Sequence, residues 1–136
     1  MKRYCVDLKI GKELKENGFS DNLICGWYQP NFADNRNRKP VLKYISLEGT
    51  DDSYFNQKAY FLLALAPCSD EILKELPKVL ELETGLFFLY IACLEPGYHV
   101  YYQTNCGEEL IEFIDKSLAN ALANLWLYLK KKEYIK

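Results

Sequence analysis

The five cysteines, Cys5, Cys25, Cys68, Cys93 and Cys106, are odd in number and stand at least thirteen residues apart. There is no C-x-x-C pair, so neither a zinc ribbon nor a thioredoxin-like redox site is supported. Histidine is scarcer still: His99 is the only one. A single imidazole needs a nucleophile or an orienting carboxylate brought to it in space before it can act as a base. No G-x-S-x-G, H-E-x-x-H or phosphate-cradling glycine loop accompanies it, so the common hydrolase, metalloprotease and nucleotide-binding signatures are missing. Nor is there any window of ~18 uninterrupted apolar residues that would read as a membrane span.

What is present is ordinary in bulk and unusual in detail. At 136 residues, with 49% hydrophobic and 26% charged, the chain has the composition of a globular protein. Its length predicts a single domain, residues 1–136, able to bury a proper core. Aromatics reach 15%, eleven of them tyrosines. Tyrosine suits half-buried pleated surfaces and also interfaces. The opening "MKRYCVDLKIGKEL" lacks the apolar stretch of a signal peptide, and a reducing cytoplasm is the expected setting. Cys25, Cys68 and Cys93, inside or beside apolar runs, read as small buried hydrophobes. Cys106, beside Gly107 in a turn-forming stretch, reads as an exposed thiol with no lysine or arginine nearby in sequence to activate it.

Local patterns predict α+β architecture. In "DLKIGKELKEN", Asp7 can cap a helix that places Ile10 and Leu14 on one face and stops at Gly18. Strands follow at 23–29, 41–47 and 59–66, with the polar stretch 31–40 as a loop and "EGTDDS" as a turn. Ser69 can cap a helix through "DEILKELPKVLELE", with Ile72, Leu73, Leu76, Val79 and Leu80 as its stripe and Pro77 kinking or ending its first half. "LFFLYIACL" reads as a strand, "EPGY" as a type II turn with Pro96 and Gly97 at its centre, "HVYYQT" as the hairpin partner, and "ELIEFI" as a final strand. Asp115 or Ser117 begins the last helix. The expected order is α-βββ-α-βββ-α, with helices packed on a mainly antiparallel sheet.

Three stretches carry a resemblance: "KELKENGF" (Lys12 to Phe19), "LAPCSDEILKEL" (Leu65 to Leu76) and "SLANALANLWLYLKK" (Ser117 to Lys131), together roughly a quarter of the chain. This arrangement resembles small bacteriophage and prophage proteins in which a glycine-capped helix opens the chain, an apolar strand runs through Ala-Pro into a helix, and an Ala/Leu-rich helix closes it. The resemblance implies a mobile-element accessory protein. It implies no activity and no catalytic residue.

Charge carries the strongest functional signal. Between Lys78 and Lys116 there is no lysine or arginine, while Glu81, Glu83, Glu95, Glu108, Glu109, Glu112 and Asp115 supply seven negative charges. The same segment holds Tyr90, Tyr98, Tyr101 and Tyr102. Carboxylates beside aromatic anchors suit a basic protein partner. The competing reading is a solvated sheet face whose rings simply cover core. Asp51 with Asp52, and Glu108 with Glu109, read as solvated turns rather than metal sites. No cofactor, metal or catalytic residue is expected.

Opposite charge gathers at Arg36, Arg38, Lys39 and Lys43, near Trp27 and Tyr28. Basic groups on phosphate and rings on unpaired bases would make this a nucleic-acid-binding module, the alternative function. The formal net charge of −2 works against it. At the C-terminus, Leu118, Ala121, Leu122, Leu125 and Leu129 fall on one helical face. Asn120, Asn124, Lys131 and Lys132 fall elsewhere, and the lysines sit in the last turn, where they complement the helix dipole. A core helix, rather than a membrane foot, is expected there. The leading expectation is a non-enzymatic interaction protein using strands 86–113.

Overall fold

A computed structural model describes residues 5–20, 25–30, 40–44 and 60–136. The elements are α1 (Leu8–Glu16), β1 (Cys25–Pro30), β2 (Val41–Tyr44), β3 (Tyr60–Leu65), α2 (Ser69–Glu75), β4 (Val79–Leu82), β5 (Gly85–Leu94), β6 (Gly97–Gln103), β7 (Glu109–Asp115) and α3 (Leu118–Lys131). The α+β class holds. The chain divides into two compact units, residues 1–68 and 69–136.

In the first unit the described strands form an antiparallel sheet of order β2-β1-β3, and α1 packs on β3. Asp7 occupies the N-cap of α1 in an extended conformation, and Gly18 takes a left-handed φ of 79° just past its end. The Phe19 N–H donates to the Leu14 carbonyl at 3.0 Å and the Gly18 N–H to the Lys15 carbonyl at 3.3 Å, the paired bonds of a Schellman cap. Leu14 and Phe19, the residues this cap brings together, are both buried. Short of α1, Cys5 forms an isolated antiparallel bridge with Cys68, and the Val6 N–H donates to the Pro67 carbonyl at 3.2 Å. Trp27 packs on this corner, with Nε1–H donating to the Val6 carbonyl at 3.0 Å.

In the second unit four strands form an antiparallel meander, β4-β5-β6-β7, with α3 lying against β6 and β7 and α2 against α3. This departs from the expected order in one place. Residues 79–82, expected to continue a helix, are strand β4, paired with β5 from Val79↔Phe88 to Leu82↔Gly85. Pro77 has no N–H for a helical bond and disfavours the helical region at Leu76, so the helix stops at Glu75. "VLEL" then alternates, with Leu80 buried and Val79 and Glu81 exposed, as a half-buried strand requires.

The β5–β6 turn also differs from expectation. Leu94 pairs with Gly97, so the central residues are Glu95 and Pro96, joined by a cis peptide. Gly97 belongs to the strand, where a Cβ would lie 2.5 Å from the Asp115 carbonyl oxygen of β7. Its absent side chain makes room for a neighbouring backbone rather than for a turn.

The last helix starts where its polar residues can satisfy its first amides. Asp115 Oδ1 accepts from the Ser117 N–H at 2.8 Å, and Ser117 Oγ accepts from the Asn120 N–H at 3.2 Å, so both candidate start residues take part. Leu122, Leu125, Leu129 and Ala121 are fully buried, as the helical spacing predicts. Asn120, expected off that face, is buried as well, because α3 is enclosed around most of its N-terminal circumference. Trp126 is buried beneath the Lys130 ammonium, 5.8 Å above its ring, while half-buried Tyr128 meets Phe113 and Tyr134 edge-on. Beyond it, Glu133 adopts a φ of 60°, with the Tyr134 N–H bonded to the Leu129 carbonyl at 2.9 Å, a second Schellman cap. No helix among the described residues is long and apolar enough to cross a membrane.

Candidate interaction surface

Strand register assigns each side chain of the second sheet to a face, because directly opposed residues share one. Leu80, Phe87, Leu89, Val100, Tyr102, Ile111 and Phe113 fall on the face that meets α3. Val79, Glu81, Leu86, Phe88, Tyr90, Ala92, Leu94, His99, Tyr101, Glu112 and Ile114 fall on the other.

The candidate residues divide accordingly. Tyr90 and Tyr101 are directly opposed on the outer face, with rings stacked at 5.4 Å and 18°. Tyr98 pairs with Cys93 and Asp115 and shares the α3 side, half-buried. Tyr102 leaves the patch altogether. It is fully buried, and its phenol donates to the Pro77 carbonyl at 2.6 Å, so it is a core ring rather than an anchor. Burial pushes its phenol well above the ordinary tyrosine range.

The acids do not gather as one group either. Glu95 sits in the β5–β6 turn and Glu108 before β7, at opposite ends of β6, roughly 20 Å apart at strand rise. The Glu108 N–H donates to Thr104 Oγ1 at 3.0 Å and its carbonyl accepts from the Thr104 N–H at 2.8 Å, which closes the β6–β7 turn. Its carboxylate is therefore displayed from a fixed backbone. Glu109, exposed at the start of β7, lies beside Glu112. Partial desolvation and then the neighbouring Glu112 carboxylate hold its carboxyl above the ordinary range. Since Glu109 is exposed, the neighbouring charge is the sturdier of those causes.

His99 and Glu112 form the polar centre of the outer face. His99 Nδ1 lies 2.6 Å from Glu112 Oε1. An ionised carboxylate only accepts, so Nδ1 donates to it, and in the neutral ring Nε2 is then an acceptor. Nε2 is buried with no hydrogen-bond partner among the described residues. The pairing is diagonal across β6 and β7, since His99 opposes Ile114 and Tyr101 opposes Glu112. In the sequence His99 has no carboxylate within three residues of it. Its thirteen-residue separation from Glu112 becomes a contact only once β6–β7 register is known.

Around this pair the outer face is apolar to an unusual degree. Val79, Leu86, Tyr90, Leu94 and Ile114 are all more than a third exposed, Leu94 at 59% and Ile114 at 52%. Phe88, Ala92 and Tyr101 fill the space between, half-buried. The only charged side chains the four strands place here are carboxylates, Glu81, Glu109 and Glu112, with no lysine or arginine in 79–115.

The basic candidates are placed less fully. Trp27 is half-buried, and its indole N–H is bonded to Val6, so its ring is part of a packed corner and not a free stacking platform. Tyr28 lies in β1, opposed to Val41 and Leu62. Arg36, Arg38 and Lys39 lie outside the described residues, as do Asp51 and Asp52. Cys93 and Cys106 are exposed thiols. The placement of Cys93 corrects the expectation of a buried hydrophobe, because α3 covers β6 and β7 and leaves the turn end of β5 open. No group of three metal-ligating side chains occurs among the described residues. The chain matches no family model, and no curated protein or solved structure matches it either.

Proposed function

We propose that this chain is a non-enzymatic interaction protein that binds a basic protein partner through the outer face of the β4–β7 sheet. The observation that carries the reading is the combination on that face: stacked Tyr90 and Tyr101, exposed Leu86, Leu94 and Ile114, and charge of one sign only. A four-stranded sheet with α3 on one side has its core there, so stability does not require large apolar groups on the other. Aromatic anchors ringed by carboxylates fit a partner that presents lysine or arginine around apolar contacts. His99 Nε2, oriented through Glu112, adds an acceptor for one donor of that partner. The three stretches that resemble phage and prophage proteins favour a mobile-element accessory role. Trp27, committed to an internal hydrogen bond, gives the nucleic-acid reading no support from the described residues.

The test is affinity capture with the whole chain as bait, quantified against two variants whose fold is checked by circular dichroism. Tyr90→Ala/Tyr101→Ala removes the anchors, and Glu109→Lys/Glu112→Lys reverses the charge. The expected result is a protein retained by the native chain and lost by both variants, yet still retained by Glu95→Lys, which alters only the turn. Identical capture by all four chains rules the surface out.

A further inference from the structure

We propose that Cys5 and Cys68 are an oxidation site: a cross-strand pair that closes into a disulfide when the chain meets a low-molecular-weight disulfide. The two Sγ atoms are 2.8 Å apart although the residues are 63 positions apart in sequence. Their backbones already hold the geometry that such a bond needs. Cys5 and Cys68 face each other in an antiparallel bridge, and the flanking bond runs from the Val6 N–H to the Pro67 carbonyl at 3.2 Å. A hydrogen bond between the residue after one partner and the residue before the other marks a non-hydrogen-bonded pair. In such pairs the Cα atoms approach to about 4.5 Å, inside the ~4.4–6.8 Å range of disulfides. The site is held in place by its surroundings as well. Ala66 is buried beside Cys5, Trp27 packs on the cluster, and the Trp27 N–H is bonded to the Val6 carbonyl.

Exposure sets the order of events. Cys5 is 2% exposed, whereas Cys68 is half-buried and is the sulfur a reagent can reach. The Cys68 thiolate attacks one sulfur of the reagent RSSR, forming a Cys68–SR mixed disulfide and expelling RS⁻. Cys5 then loses its proton to solvent and attacks Cys68 Sγ, forming the Cys5–Cys68 bond and expelling the second RS⁻. The protein gives up two protons and two electrons, and the reagent leaves as two thiols. The bond joins the segment before α1 to the end of the first unit, and so closes residues 5–68 into one covalent loop.

The experiment uses the full chain, fully reduced, freed of reductant and incubated with excess oxidised glutathione, then alkylated and digested without reduction for mass spectrometry. The expected result is a single linked peptide pair containing Cys5 and Cys68, with three of the five thiols still alkylated and an apparent Tm several degrees above that of the reduced chain. A Cys25→Ser/Cys93→Ser/Cys106→Ser variant is expected to close in the same way. The native-chain mapping stands by itself if that variant does not fold. Five alkylated thiols, a glutathione adduct that persists on Cys68 without closure, or a bond that engages Cys25, Cys93 or Cys106 would each overturn the proposal.

Discussion

The two faces of the β4–β7 sheet are made by the same strands, residue by alternate residue, and differ in what accounts for their apolar side chains. Facing α3, Phe87, Val100 and Tyr102 are buried by packing. Only toward the turn end of β5, which α3 does not cover, does an apolar residue of this face, Ile91, stay exposed. On the far side Leu86, Leu94 and Ile114 are about half exposed, and the polar members, His99 and Glu112, are paired to each other. Burial earns roughly 25 cal/mol per Å² of apolar surface, and a half-exposed leucine collects only part of that. The inner face is therefore what folding requires. The outer face needs a different reason, and a partner that completes the burial supplies one.

Substitutions across the two faces test this contrast. Tyr102→Ala, on the inner face, should cost ~3–5 kcal/mol in urea denaturation, while Tyr90→Ala, opposite it, should cost only ~1 kcal/mol, the worth of a stacked pair. Comparable losses at the two positions would mean that the outer face is also core. Next in size is Gly97→Ala, where a methyl group meets the Asp115 carbonyl oxygen of β7. A loss of ~1–3 kcal/mol is expected by thermal melting, and a neutral result would show that β6 and β7 separate easily. Tyr102→Phe keeps the ring but strips the Pro77 carbonyl of its donor, so a loss of ~1–3 kcal/mol should appear without any change in secondary structure by circular dichroism.

The smallest effect concerns Glu109. Its pKa is raised in the fold, so the fold favours the protonated form. Its contribution is most favourable below the ordinary carboxylate range and is lost as pH rises through the raised value. Glu109→Gln should therefore leave stability unchanged in acid and raise it slightly at neutral pH, measured as Tm against pH. A larger gain in acid than at neutrality would show that repulsion from Glu112 is not the cause.

Much of the architecture was legible in the sequence because its signals are local. Gly18, Ser117 and the alternation in "ELIEFI" each act within a few residues, and α1, α3 and β7 lie where those signals put them. The misreading at 79–82 has a physical origin. Leu76, Val79 and Leu80 fit helical spacing as well as strand alternation, and only the pairing with β5 decides between them. The candidate surface was half legible. Composition exposed the one-signed charge of 79–115, but which tyrosines face outward depends on register. A strand with apolar residues on both faces, such as "LFFLYIACL", does not reveal its inner side. The His99–Glu112 contact and the Cys5–Cys68 pair lay beyond reach for the same reason, since each joins residues that only the fold brings together.

The plain meander of the second sheet has a kinetic consequence. Each strand pairs with the one synthesised just before it, across turns of two to five residues, so β4 to β7 can zip together without first closing a long loop. In the first sheet β1 can pair with β2, but β3 must find β1 across thirty or more residues of chain. The C-terminal half should therefore collapse first and the N-terminal half follow. Pulsed hydrogen exchange would read that order as early amide protection in β5 and β6 and late protection in β3.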